Sequence, residues 1–141
     1  VIFITPGYIQ LPDADSRILA EAFRVLRPGG WLLVDVTDGD MIKRAFTKDS
    51  WHESDDDMVI CRYRELSDNA IHAREMVLSK KKGLVRDETY AVRLYNVESL
   101  SALVENAGYL KIKIHTDFSP HNAQGDYGFM NCRMIATAQK P

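Results

Sequence analysis

The stretch FRVLRPGGWLLVDV, Phe23 to Val36, constrains the fold of this chain more than any other. From Ser16 onward the apolar residues Ile18, Leu19, Ala22, Phe23 and Leu26 recur at helical spacing, with Arg17, Glu21 and Arg24 largely on the opposite side. That pattern predicts an amphipathic helix lying on a sheet. Arg27 puts positive charge at its carboxyl end, Pro28 makes continuation awkward, and Gly29 and Gly30 accept positive φ. WLLVDV follows at once. A continuous apolar run from Trp31 to Val34 suits a central, parallel strand, with Asp35 near its carboxyl end. A helix stopped hard against a buried strand is the joint of an α/β sheet, and such sheets hold their ligands at the carboxyl ends of their strands.

The rest of the chain extends this rhythm on both sides. Val1 to Thr5 is mostly apolar, as expected for a strand covered on both faces. PGYIQLPDAD then reads as a loop, with Asp13 to Ser16 as candidate helix caps. After the joint, Thr37 to Gly39 is a turn and DMIKRAF a short helix, and Trp51 and His52 lead into the acidic cluster Glu53, Asp55, Asp56 and Asp57. The cluster lacks the glycine and ligand spacing of a calcium loop and is expected to be solvated. MVICRYREL, IHAREMVLSK and LVRDETYAVRLY, divided by SDN and KKKG, alternate partially and predict an antiparallel three-stranded insert within 57–95. Asn96 is a candidate cap, with Glu98 in the first turn and Leu100, Leu103, Val104 and Ala107 on the apolar stripe of a helix that Gly108 stops. YLKIKIH and NCRMIATA are closing strands, joined through the polar SPHNAQGDYG.

A chain of 141 residues, 45% of them hydrophobic, is long enough for one core, so 1–141 is expected to form a single domain. The formal charge of −2 offers no net attraction for nucleic acid or anionic lipid, and the basic run Lys80 to Lys82 beside a glycine reads as a solvated turn. Without an apolar run of membrane length or a basic, hydrophobic leader, a cytoplasmic protein that does not engage a membrane is expected. Cys61 and Cys132 lie far apart in apparent strands and read as core thiols. With His52, His72, His115 and His121 showing no ligand spacing, no metal site is expected. The chain opens inside the apolar run VIFIT with no starting methionine, which suggests that an amino-terminal part is lacking.

No G-x-G-x-x-G, G-x-x-x-x-G-K-[ST] or G-x-S-x-G is present, and Gly29 and Gly30 belong to the amino-terminal side of the sheet, away from the ligand face. The strand ends are better candidates. Thr5, Pro6, Gly7 and Tyr8 follow the first strand, where Gly7 permits close approach and Tyr8 carries a hydroxyl on an aromatic ring. Asp35, Thr37 and Asp38 follow the second. Of Arg62, Arg64, Arg74, Arg86 and Arg93, most read as ladder charges paired with Glu65, Glu75 and Glu88. Arg93 and Tyr95 stand apart because they close the insert just where the sheet resumes.

RVLRPGG followed by WLLVD resembles the segment between the fourth and fifth strands of class I S-adenosylmethionine-dependent methyltransferases. YNVESLSALVENAGYLKIKIHTDF is similar to that family's following helix and sixth strand, and NCRMIATAQKP to its last antiparallel strand. The β-rich insert is similar to the lid of its small-molecule N- and O-methyltransferases. The resemblance implies an α/β, Rossmann-like methyltransferase sheet, partial, with strands four to seven and the antiparallel insert. It implies S-adenosylmethionine as cofactor and a small-molecule substrate with an N, O or C nucleophile. On that basis Thr5, Pro6 and Gly7 would approach the methionine end of the cofactor, while Tyr8, Arg93 and Tyr95 would orient the reactants. The family's glycine-rich cofactor loop, the ribose-holding acid after its second strand and the Asp-containing stretch after its third are absent from the chain. A missing amino-terminal segment supplied elsewhere, or a homodimer, would have to complete the pocket, and the chain alone is expected to be inactive. Another Rossmann-like enzyme, such as a nicotinamide dehydrogenase, and a noncatalytic methyltransferase-like binding or dimerisation domain are the alternatives.

Overall fold

The computed structural model describes residues 1–118 and 131–141, Asp117 by its backbone alone; the run SPHNAQGDYG, and with it His121, lies outside the described residues. In chain order the elements are β1 (Ile2–Ile4), α1 (Ala14–Val25), β2 (Trp31–Thr37), α2 (Gly39–Arg44), β3 (Asp49–Glu53), β4 (Met58–Leu66), β5 (Ala70–Ser79), β6 (Gly83–Arg93), α3 (Val97–Asn106), β7 (Leu110–Phe118) and β8 (Arg133–Gln139). They form two four-stranded sheets, β1-β2-β8-β7 and β3-β4-β5-β6.

In the first sheet β1 and β2 are parallel, while β8 runs antiparallel to both β2 and β7. Alternation along these strands sends Ile2, Ile4, Leu32, Val34, Val36, Met134, Ala136 and Ala138 to one face, where Leu19 and Ala22 of α1, its C-cap Leu26, and Leu100 and Val104 of α3 meet them. Leu19, Leu100 and Val104 are completely buried, which stabilises the fold by about 2 kcal/mol for each side chain. Both helices therefore lie on the same side. The opposite face is more open than a doubly covered strand would be, with Phe3 58% and Trp31 41% exposed.

The helix-to-strand joint forms as expected, with one correction. Gly29 has a φ of +75°, but Gly30 does not adopt positive φ. Gly30 is needed for space, because a Cβ there would stand 2.7 Å from Leu26 Cδ1 and 2.8 Å from the Arg27 carbonyl. The backbone groups of Gly29 and Gly30 pair with Lys140, which sews the turn to the end of β8. Asn96 caps α3 in a reciprocal box with Ser99.

The insert is antiparallel throughout, and it carries one strand more than its three alternating runs announce. Asp49–Glu53, a run not read as a strand and ending on the first residue of the acidic cluster, forms β3 against β4. Near its base the insert has a small core of Ile71, Ala73, Val92 and Leu94 around Ile42 of α2. Farther out it carries ion pairs, cross-strand between Arg62 and Glu75 at 2.8 Å and between Arg74 and Asp87 at 2.6 Å, and along β6 between Arg86 and Glu88 at 2.6 Å. Asp55 accepts two backbone N–H bonds at the β3–β4 turn, and Asp57 ties that turn to Ser79 and Lys81 across the sheet. Cys61 and Cys132 are both free thiols.

Candidate functional site

The loop that leaves β1 and the strand that leaves the insert meet at the carboxyl ends of β1 and β2. Their meeting point is Asp15, in the first turn of α1, only 3% exposed. Its carboxylate accepts from the Gly7 backbone N–H at 2.9 Å, from Arg93 Nη1 at 2.5 Å and from the Tyr95 hydroxyl. The position suits a negative charge, since the N-terminal end of a helix stabilises an anion. Arg93 also donates to the Leu11 carbonyl at 3.3 Å, and its backbone N–H to the Gly7 carbonyl at 2.8 Å. Gln10 Nε2 donates to the Gly7 and Ala91 carbonyls. Gly7 itself has a φ of +102°, and a Cβ there would stand 3.3 Å from the Arg93 carbonyl. The close approach that glycine permits at this point is the approach of β6.

The expected site residues thus fall into distinct roles. Arg93 and Tyr95 come together with Gly7, and all three are committed to Asp15. Burial first, and the Asp15 carboxylate next, push the Tyr95 hydroxyl far above its usual range, so it is held as a donor. Thr5 is exposed, Pro6 is buried, and Tyr8 is 45% exposed.

Tyr8 belongs to a second cluster. Arg133, at the start of β8 and 1% exposed, donates through Nε to Asp35 Oδ1 at 2.8 Å. Its Nη1 lies 3.1 Å from the Tyr8 hydroxyl oxygen and 3.0 Å from Thr37 Oγ1. The β2–β8 register sets this up, placing Thr37 directly opposite Arg133 and Asp35 opposite Ile135. Asp35 is therefore half of a partly buried ion pair. Asp38 caps α2 by accepting from the Asp40 and Met41 N–H groups, and a bridge from Asp38 to Tyr95 links the turn to the insert. Gly39 fits beneath Leu94 and Tyr95, donating its N–H to the Tyr95 carbonyl at 2.8 Å.

Two residues that organise this end of the molecule escape a reading of the sequence. Asp15 reads there as a helix cap, whereas the structure gives α1 no side-chain cap and turns the carboxylate toward the insert. Arg133 is legible only as an arginine at the head of an apolar strand. Elsewhere on the surface, a hollow of about 400 Å³ lies among Tyr63, His72, Arg74 and Thr89 of the insert, and one of about 410 Å³ among Ile9, Leu11, Arg17 and Ile18. Neither includes Tyr8 or Arg133. Among the described residues no group of His, Cys, Asp and Glu is arranged to hold a metal ion, and no helix is long and apolar enough to cross a membrane.

No protein-family model matches the chain, and no curated protein does. Solved structures do match it. The CcbJ methyltransferase from Streptomyces caelestis is similar over 99% of this chain and 59% of its own length, with 19% identity and a TM-score of 0.73. An S-adenosylmethionine-dependent methyltransferase from Clostridium acetobutylicum is similar over 98% of this chain and 57% of its own, with 14% identity and a TM-score of 0.71. DesVI from Streptomyces venezuelae matches 99% of this chain and 58% of its own, with 15% identity and a TM-score of 0.61. The chain spans less than two thirds of the length of each. Taken with the strand order and the antiparallel insert, these likenesses show that the chain has the fold of S-adenosylmethionine-dependent methyltransferases, with a partial Rossmann-like sheet.

Proposed function

We propose that Val1 to Pro141 is the carboxyl-terminal portion of the catalytic domain of an S-adenosylmethionine-dependent methyltransferase that acts on a small molecule, with 57–95 as its lid. The observation that carries this reading is the seam at Asp15, where the base of the insert is bonded to the loop after β1 at the carboxyl ends of two parallel strands. The matched methyltransferases share the chain's fold across almost its whole length.

The bound cofactor supplies a methyl group activated on a sulfonium for direct displacement by an N, O or C nucleophile. Such a reaction depends above all on alignment. On this reading Thr5 and Tyr8, both exposed at the start of the loop, face the cofactor's methionine end and the acceptor. Pro6 and Gly7 shape the loop, and both polar backbone groups of Gly7 are already bonded within the protein. Arg133 donates to the Tyr8 hydroxyl oxygen, which leaves the Tyr8 O–H free to donate toward a ligand. Arg93 and Tyr95 brace the wall, and the firmly held proton of Tyr95 makes it unsuitable as a general base. The cofactor's glycine-rich loop comes from outside Val1–Pro141.

Isothermal titration of the protein at its full natural length with S-adenosylmethionine and S-adenosylhomocysteine tests the proposal. Saturable binding of both is expected, with methyl transfer to a small acceptor. Failure to bind either would remove the enzymatic reading and leave a noncatalytic domain of methyltransferase fold.

A further inference from the structure

The geometry points to Asp15 as a positioning residue that makes the loop after β1 and the exit of the insert into a single wall, so that the cofactor's amino-acid end is held in register with the lid. The inference rests on the methyltransferase reading and adds to it a residue that touches neither reactant.

Asp15 gathers donors from the adjacent loop and from a remote part of the chain: the Gly7 N–H lies eight residues before it, and Arg93 and Tyr95 lie 78 and 80 residues after it. With the residue 3% exposed, water cannot readily replace a lost donor. A buried carboxylate deprived of its partners is costly, so these bonds tend to be kept or lost together. The contacts around the carboxylate run in the same direction. The Arg93 N–H bonds the Gly7 carbonyl, Arg93 Nη2 bonds the Leu11 carbonyl, and Gln10 bridges the Gly7 and Ala91 carbonyls. The close packing of Gly7 on the Arg93 backbone leaves no slack between them. A shift of the insert base therefore carries Gly7 with it, and Tyr8 follows as the next residue.

The test compares Asp15→Asn with the wild type in the full natural protein, using S-adenosylhomocysteine and methylthioadenosine, which lacks the amino-acid end. Asp15→Asn keeps the shape but removes the charge and one acceptor oxygen. It is expected to weaken S-adenosylhomocysteine by about tenfold while leaving methylthioadenosine unchanged, because only the former reaches the wall. Val104→Ala, a core change remote from the wall, serves as the control for general destabilisation and should alter neither affinity. Should Asp15→Asn fail to fold, Tyr95→Phe carries the test, since it removes a single donor and leaves the carboxylate in place. Its expected effect is about threefold on S-adenosylhomocysteine alone. Equal weakening of both ligands, or no change in either, overturns the inference even though the wild type binds. A wild type that binds neither ligand overturns the methyltransferase reading instead.

Discussion

The two sheets differ in how much apolar core they have. The sheet β1-β2-β8-β7 has one face sealed by α1 and α3 over a continuous apolar core, whereas the insert has a small core near its base and cross-strand charges beyond it. Tight packing fixes the first sheet as a frame, and the second meets it at one end through a small apolar core and a few buried polar bonds. The difference teaches where precision is needed. The seam between frame and insert is where both sides converge on the carboxyl ends of the parallel strands, and it carries the buried ionisable groups Asp15 and Arg133.

The largest way to sharpen the contrast is to remove core volume. Leu100→Ala, at a fully buried position of α3, is expected to lower stability by about 3 kcal/mol in urea denaturation. Trp51→Ala, at a position 71% exposed on β3, is expected to change it by less than about 0.5 kcal/mol despite the larger side chain removed. A pair of glycines gives a smaller and more controlled comparison. Gly108 and Gly83 have φ of +94° and +84°, but a Cβ at Gly108 would meet the Phe23 ring at 3.2 Å, while at Gly83 nothing stands within 4 Å. Both alanine variants should lose about 1 kcal/mol from backbone strain, and Gly108→Ala about 1 kcal/mol more if the frame is as tightly packed as its burial indicates.

Alkaline titration probes the seam. The Tyr95 hydroxyl has its folded pKa raised, first by burial and then by Asp15. Its stabilising contribution is therefore fully present below the unfolded value of about 10 and is lost as pH climbs from there through the folded value. Ultraviolet difference spectra of the folded protein below about pH 11 should be the same for wild type and Tyr95→Phe, since this tyrosine stays protonated there. Early ionisation of Tyr95 would mean that the Asp15 contact is open in solution. The smallest effect belongs to the insert's exposed charges: Arg74→Ala, which breaks the pair with Asp87, should leave the denaturation midpoint unchanged at both low and high salt.

Much of the frame was legible because its causes are local. Pro28 and Gly29 end a helix whose apolar stripe is visible at Ile18, Leu19, Ala22, Phe23 and Leu26, and the strand that follows is continuously apolar. Asn96 could be read as a cap, although its partner Ser99 completes a box that a search for Glu or Gln would miss. β3 was hidden because DSWHE has little apolar content of its own, and it is a strand through pairing with the longer β4. The positions of the proposed site residues could be read from the sequence, but their wiring could not. Thr5 to Tyr8, Arg93 and Tyr95 lie at one end of the sheets, but the carboxylate that joins Gly7 to Arg93 and Tyr95 is supplied by a helix 78 and 80 residues before the latter two, and the guanidinium behind Tyr8 by the last strand. Periodicity reports which face a residue occupies and carries no information on such distant polar partners.

The location of the site can be read directly from amide NMR spectra of the full natural protein titrated with S-adenosylhomocysteine. The expected result is saturable shifts at Thr5, Gly7 and Tyr8, with Gly83 at the far turn of the insert unmoved. Saturation of the ligand with no change at Thr5, Gly7 or Tyr8 would contradict the placement of the cofactor's methionine end at this seam.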